Sequence, residues 1–153
     1  ELHYAEELYQ ESLVARLRLG DATAVDPFRN VLMKNIEEIE GCYNYFDDMV
    51  AYSKKDDLVY QKGLKTCSAR LPELRFRQEQ RLEALATFSP AIRKAFLLSV
   101  CEWTDPVQTE MAFWAALPAA QTDAEWLKSL AEKSRSNAIR YYANSMLRQS
   151  GGK

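Results

Sequence analysis

Apolar side chains recur along this chain at steps of three and four, the spacing that builds one face of a helix with 3.6 residues per turn. In residues 2–18, Leu2, Ala5, Tyr9, Leu13 and Leu17 form a stripe that ends at Gly20-Asp21. The strongest pattern follows: Phe28, Leu32, Ile36, Ile39, Tyr43, Phe46 and Val50 predict one continuous apolar face over about six turns. After the polar break Lys54-Lys55-Asp56-Asp57, the residues Leu58, Leu64, Cys67, Leu71 and Leu74, then Leu82, Leu85 and Phe88, predict a third helical segment. Pro72 falls inside it and is expected to kink or split it, because it removes a donor and crowds the preceding turn. Ile92, Phe96 and Val100 mark a fourth helix. Val107, Met111, Trp114 and Leu117 mark a fifth that stops near Pro118. A last helix is predicted from Asp123 to Gln149, with Leu127, Leu130, Ser134, Ala138 and Tyr141 inward.

Helix starts agree with this reading. Asp26-Pro27, Ser89-Pro90 and Asp105-Pro106 each pair a capping side chain with a proline at the first helical position, where a missing N–H costs nothing. Thr122-Asp123-Ala124-Glu125 fits a capping box. The predicted architecture is all-α: a single-domain bundle of about five to six helices over residues 1–149, with 150–153 as a flexible tail.

Composition narrows the class. With 5 Gly and 5 Pro among 153 residues, the chain lacks the many turns that an all-β fold needs. No apolar run reaches the length of about 20 residues that spans a bilayer. The chain opens on Glu1 rather than Met, so a trimmed N-terminus is expected; the compartment is cytoplasmic by default, with a periplasmic or secreted origin left open. Net charge is −2, without the basic excess of a nucleic-acid binder. Its distribution is uneven: residues 1–57 carry 13 acids and 6 bases, and residues 58–153 carry 9 acids and 14 bases. Two readings follow, complementary packing of the halves or an acidic surface for a basic partner.

Candidate chemistry is sparse. The chain has three cysteines, Cys42, Cys67 and Cys101, and one histidine, His3, without the spacing of a zinc site, so no metal or cofactor is expected. No phosphate loop, nucleophile elbow or HExxH motif occurs, and the expectation is a protein without enzymatic activity. The side of the second helix away from its core stripe carries Glu37, Gly41, Asn44, Tyr45, Asp48 and Tyr52. A glycine inside a helix costs about 1 kcal/mol relative to alanine. It also lets another backbone come close, here between aromatic anchors and steering charges. Either a helix of the same chain or a protein partner would use it. The expected partner site is Glu37, Gly41, Tyr45, Asp48 and Tyr52, facing a basic protein. Arg70, Arg75, Arg77 and Arg81 alternate with Glu73, Glu79 and Glu83, the pattern of a solvated face more than of a phosphate site.

As an alternative function, Trp103, Met111, Phe113 and Trp114 would line a pocket for a small apolar ligand in a helical sensor or carrier. The tryptophans with Phe113 and Met111 are otherwise expected in the core. In general character, as a small, acidic-faced, Tyr-bearing helical protein, the chain resembles bacterial toxin-neutralising immunity proteins. That likeness implies an inhibitor-type or adaptor role and assigns no residue.

Overall fold

The computed structural model describes residues 2–52, 57–117 and 123–151, with the side chains of residues 2, 3 and 48–52 left aside. These residues form seven α-helices and no strand: α1 (Leu2–Arg18), α2 (Val25–Tyr52), α3 (Leu58–Ala86), α4 (Pro90–Cys101), α5 (Pro106–Ala116), α6 (Ala124–Lys133) and α7 (Asn137–Gly151). The all-α bundle is as expected, with seven helices in place of five or six.

The caps explain where most helices begin. Ser89 accepts from the Ile92 amide, and Asp105 accepts from Val107 and Gln108, each with proline at the start of its helix. Asp57 caps α3 in the same way, and Asp123 caps α6 by accepting from Trp126 at 2.9 Å. Thr122 lies outside the described residues. Asp26-Pro27 differs from the expectation. Gly20 turns the chain at φ +85°, Asp21 caps a single 3-10 turn over Ala22–Ala24, and α2 starts at Val25. Asp26 and Pro27 therefore lie within the first turn, where proline's missing donor still costs nothing.

Helix α2 is the centre of the bundle and contacts α1, α3, α4 and α5. Leu13 and Leu17 of α1 close on Phe28, Leu32, Met33 and Ile36 of α2, together with Leu85, Phe96, Leu97, Phe113, Leu130 and Ile139. The ring of Phe28 meets Phe88 and Phe96 edge-on, each with centroids 5.6 Å apart, an arrangement that adds about 0.5–1.5 kcal/mol per pair beyond area burial.

Several expectations are corrected or narrowed. In α5 the buried face is Thr109, Ala112, Phe113 and Ala116, whereas Val107, Met111 and Trp114 are exposed. Large apolar residues surround this short helix, so periodicity alone did not resolve its inner side; two alanines face the neighbours because they permit close approach. The long last helix is two helices. Ser134 is extended (ψ 134°), Ser136 Oγ accepts from the Ile139 amide at 3.2 Å, and the same hydroxyl donates to Glu110 at 2.5 Å. The break changes the helical phase, so Ile139 and Ala143 turn inward while Ala138 and Tyr141 turn out. Of the two outcomes expected at Pro72, a kink or a split, the split does not occur: one helix of 29 residues runs through it. Ser68 and Pro72 are both exposed, so the carbonyl that loses its partner can be solvated. At the other end α7 continues through Ser150 to Gly151, where a tail was expected.

Candidate functional site

Helices α2 and α3 form an antiparallel pair whose register is fixed by polar contacts. Buried Asn35 donates to the Leu74 carbonyl at 2.9 Å, and Arg70 pairs with Glu38 at 2.9 Å. Further along, the Cys42 and Cys67 thiols meet, and Tyr60 donates its hydroxyl to the Tyr45 carbonyl at 2.5 Å. Burial first, and then contact with Cys67, pushes the Cys42 thiol up to about 11. The Tyr45 and Tyr60 rings lie 5.3 Å apart, and a Cβ on Gly63 would come within 2.8 Å of Tyr45 Cε1. Gly63, not Gly41, is therefore the glycine that admits a neighbouring helix.

The outer face of α2 is open at its centre. Glu37, Gly41, Asn44 and Asp47 are exposed, and a Cβ on Gly41 would meet nothing within 4 Å. Tyr45 stands at the edge of this face, 41% exposed, with its ring over α3. The side chains of Asp48 and Tyr52 lie outside the described residues. Tyr43, expected in the core, is exposed and carries the Arg75 guanidinium 5.8 Å from its ring centroid. At the start of α3, Leu58 and Val59 are about four-fifths exposed (80% and 82%).

The four residues of the alternative ligand site divide between two environments. Phe113 is fully buried and meets Trp114 at 5.0 Å and Tyr142 at 6.2 Å, while Met111 and Trp114 are exposed rather than core. Trp103 belongs to a different set: its ring lies 5.6 Å from the Arg29 guanidinium, and its Nε1 donates to Gln108 at 3.1 Å. Around it runs a polar network that sequence patterns did not reveal. Ser99 donates to Asp26 and accepts from Arg29, and Gln108 donates to Glu40 at 2.7 Å. These groups satisfy one another, as buried polar groups generally must.

A second surface does not close in that way. Between α1 and α3, over α2, lies a groove of about 690 Å³. Gln10 and Val14, Phe28 and Val31, and Phe76 and Arg81 line it from the three helices in turn. Arg81 is only 8% exposed. Its Nη2 donates to Gln10 Oε1 at 2.7 Å, and its Nη1 is buried without a partner. Burial, reinforced by the Arg77 guanidinium and opposed by Glu38, pulls Arg81 down to about 10, so it remains a cation at neutral pH. Its neighbours are already engaged: Arg77 with Glu73, Arg18 with Thr87, and Glu38 with Arg70. Arg93 Nε is also buried and unpaired, on a half-buried side chain of α4 that does not line this groove. The sequence showed Arg81 only as one member of an alternating charged run; the depth of its head group depends on where α1 settles.

The fold defines the class: an all-α, multi-helix bundle. No family model, curated protein or solved structure matches the chain. Among the described residues no helix is long and apolar enough to cross a membrane, and no three His, Cys, Asp or Glu side chains gather as metal ligands.

Proposed function

We propose that this protein is a non-catalytic helical binding module that presents the outer face of α2 to a basic protein partner, in the manner of an inhibitor or adaptor. The observation that carries this reading is Gly41. A glycine at mid-helix costs about 1 kcal/mol relative to alanine. Gly63 has an internal reason in the Tyr45 ring, but among the described residues nothing beyond the backbone of α2 itself comes within 4 Å of a Cβ at Gly41. A close approach from outside accounts for it. Exposed Glu37, one turn before that point, complements a positively charged partner, and exposed Asp47 adds a second carboxylate further along α2.

The test compares wild type with Gly41→Leu and with Glu37→Lys combined with Asp47→Lys. A basic protein captured from the native source by wild type is purified, and its affinity for each variant is measured directly. Both variants keep the wild-type melting temperature within a few degrees and lose about tenfold or more in affinity. Unchanged affinity in both variants, or a captured partner without excess positive charge, refutes the reading.

A further inference from the structure

We propose that the groove between α1 and α3 binds a small organic acid, its carboxylate seated on Arg81 and its apolar body along Val14, Phe28 and Val31 beneath Phe76. This goes beyond the reading of α2's outer face, since neither Glu37 nor Gly41 lines the groove.

Arg81 is a buried cation with an incomplete set of acceptors. A guanidinium withdrawn from water needs an opposite charge in contact or a full set of acceptors; Glu38, already paired with Arg70, acts on Arg81 only through its field, and Nη1 has no acceptor. Arg81 has the neutral Gln10 as its hydrogen-bond partner, its Nη1 is without a partner, and the nearby carboxylate Glu38 is held by Arg70. Arg81 lines two adjacent spaces. One is the 690 Å³ groove; the other is a chamber of about 190 Å³ that shares Gln10, Val31, Arg77 and Arg81. The larger volume lies within the range of small-molecule pockets, about 300–1,000 Å³. A carboxylate on Nη1 would supply the missing acceptor and counter-charge together, as a charge-assisted hydrogen bond.

The remaining lining selects the ligand's form. Phe28 and Val31 give an apolar floor, Val14 a wall, and Phe76, 59% exposed, a rim. Glu7 and Glu11 on the α1 side of the groove repel a multiply charged anion. A buried cation short of one acceptor, with Glu7 and Glu11 on the rim and an apolar floor, fits a monoanion with a hydrocarbon body better than a phosphate.

The test uses hexanoate, octanoate, decanoate and 4-phenylbutyrate, each beside its corresponding alcohol, with inorganic phosphate as a bare anion. Calorimetric titration and amide chemical shifts are read on the whole chain. At least one acid should bind wild type about tenfold or more tighter than its alcohol, with shifts centred on Gln10, Val31, Phe76 and Ala84. Arg81→Met should abolish that preference and still bind the α2 partner. Should Arg81→Met fail to fold, Ala84→Phe serves: it fills the groove while leaving Arg81 in place, and it should lose the acid. Acids no better than alcohols, phosphate binding as tightly as the best acid, shifts centred elsewhere, or wild-type affinity in a folded variant would each overturn the proposal.

Discussion

At the scale of single residues, two glycines with the same helix propensity have opposite surroundings. Gly41→Ala removes a backbone cost and meets open space, so it should stabilise the protein by about 1 kcal/mol in urea unfolding. Gly63→Ala gains the same propensity but drives a methyl group to within 2.8 Å of Tyr45 Cε1. The ring must leave its place against Tyr60, so this variant should be no more stable than wild type. Equal stabilisation by both would show that the Tyr45 contact is energetically empty. The sequence places glycines at both positions, but the aromatic ring over one of them arrives from another helix. Tyr45 was legible as a residue of the outer half of α2 and not as the side chain that locks α2 to α3.

At the scale of elements, capping chemistry was largely legible and helix interruptions were not. Ser136 both caps α7 and donates to Glu110. Ser136→Ala should cost about 1–2 kcal/mol, measured as a fall in the denaturation midpoint with an unchanged slope. A cost near zero would mean that α6 and α7 readily join into the continuous helix that the apolar spacing suggested. At the start of α6, the hydrogen bond from Lys94 and then the Trp126 amide hold the Asp123 carboxyl below its usual value of 3.8. A depressed folded-state value means that this contribution is present above pH 3.8 and is lost as pH falls through the folded value. Asp123→Asn retains an acceptor for the cap and should lose that acid-limb dependence, visible when melting temperatures of the two proteins are compared between pH 5 and pH 2. Parallel curves would show that the carboxylate charge is immaterial there.

At the scale of the whole molecule, burial sorts the three thiols. Burial pushes Cys101 up to about 12, and Cys42 stands near 11 for the reasons given above. Cys67 is half-buried. The thiolate is the reactive form, and its fraction at fixed pH falls about tenfold for each unit of pKa. A disulfide reagent at pH 8 should therefore titrate one thiol quickly in the native protein and three after denaturation. Three fast thiols without denaturant would mean that α2, α3 and α4 do not pack as described. The uneven charge along the chain is partly consumed between helices at the surface, where Arg70 of α3 meets Glu38 of α2. Exposed Glu37 and Asp47 remain outside that pairing.

Helix type, most helix starts and the core side of α2 were determined by the sequence itself, because backbone geometry imposes a short-range period that the order of apolar residues must match. Phe28, Leu32, Ile36 and Ile39 are all buried on that account. Tertiary structure alone decided the break at Ser134–Ser136, the inward side of α5, the partner of Tyr45 and the depth of Arg81. Each depends on which distant helix lies across the residue, and such contacts leave no period in the neighbouring sequence. A guanidinium becomes an uncompensated charge only when other helices take away its water.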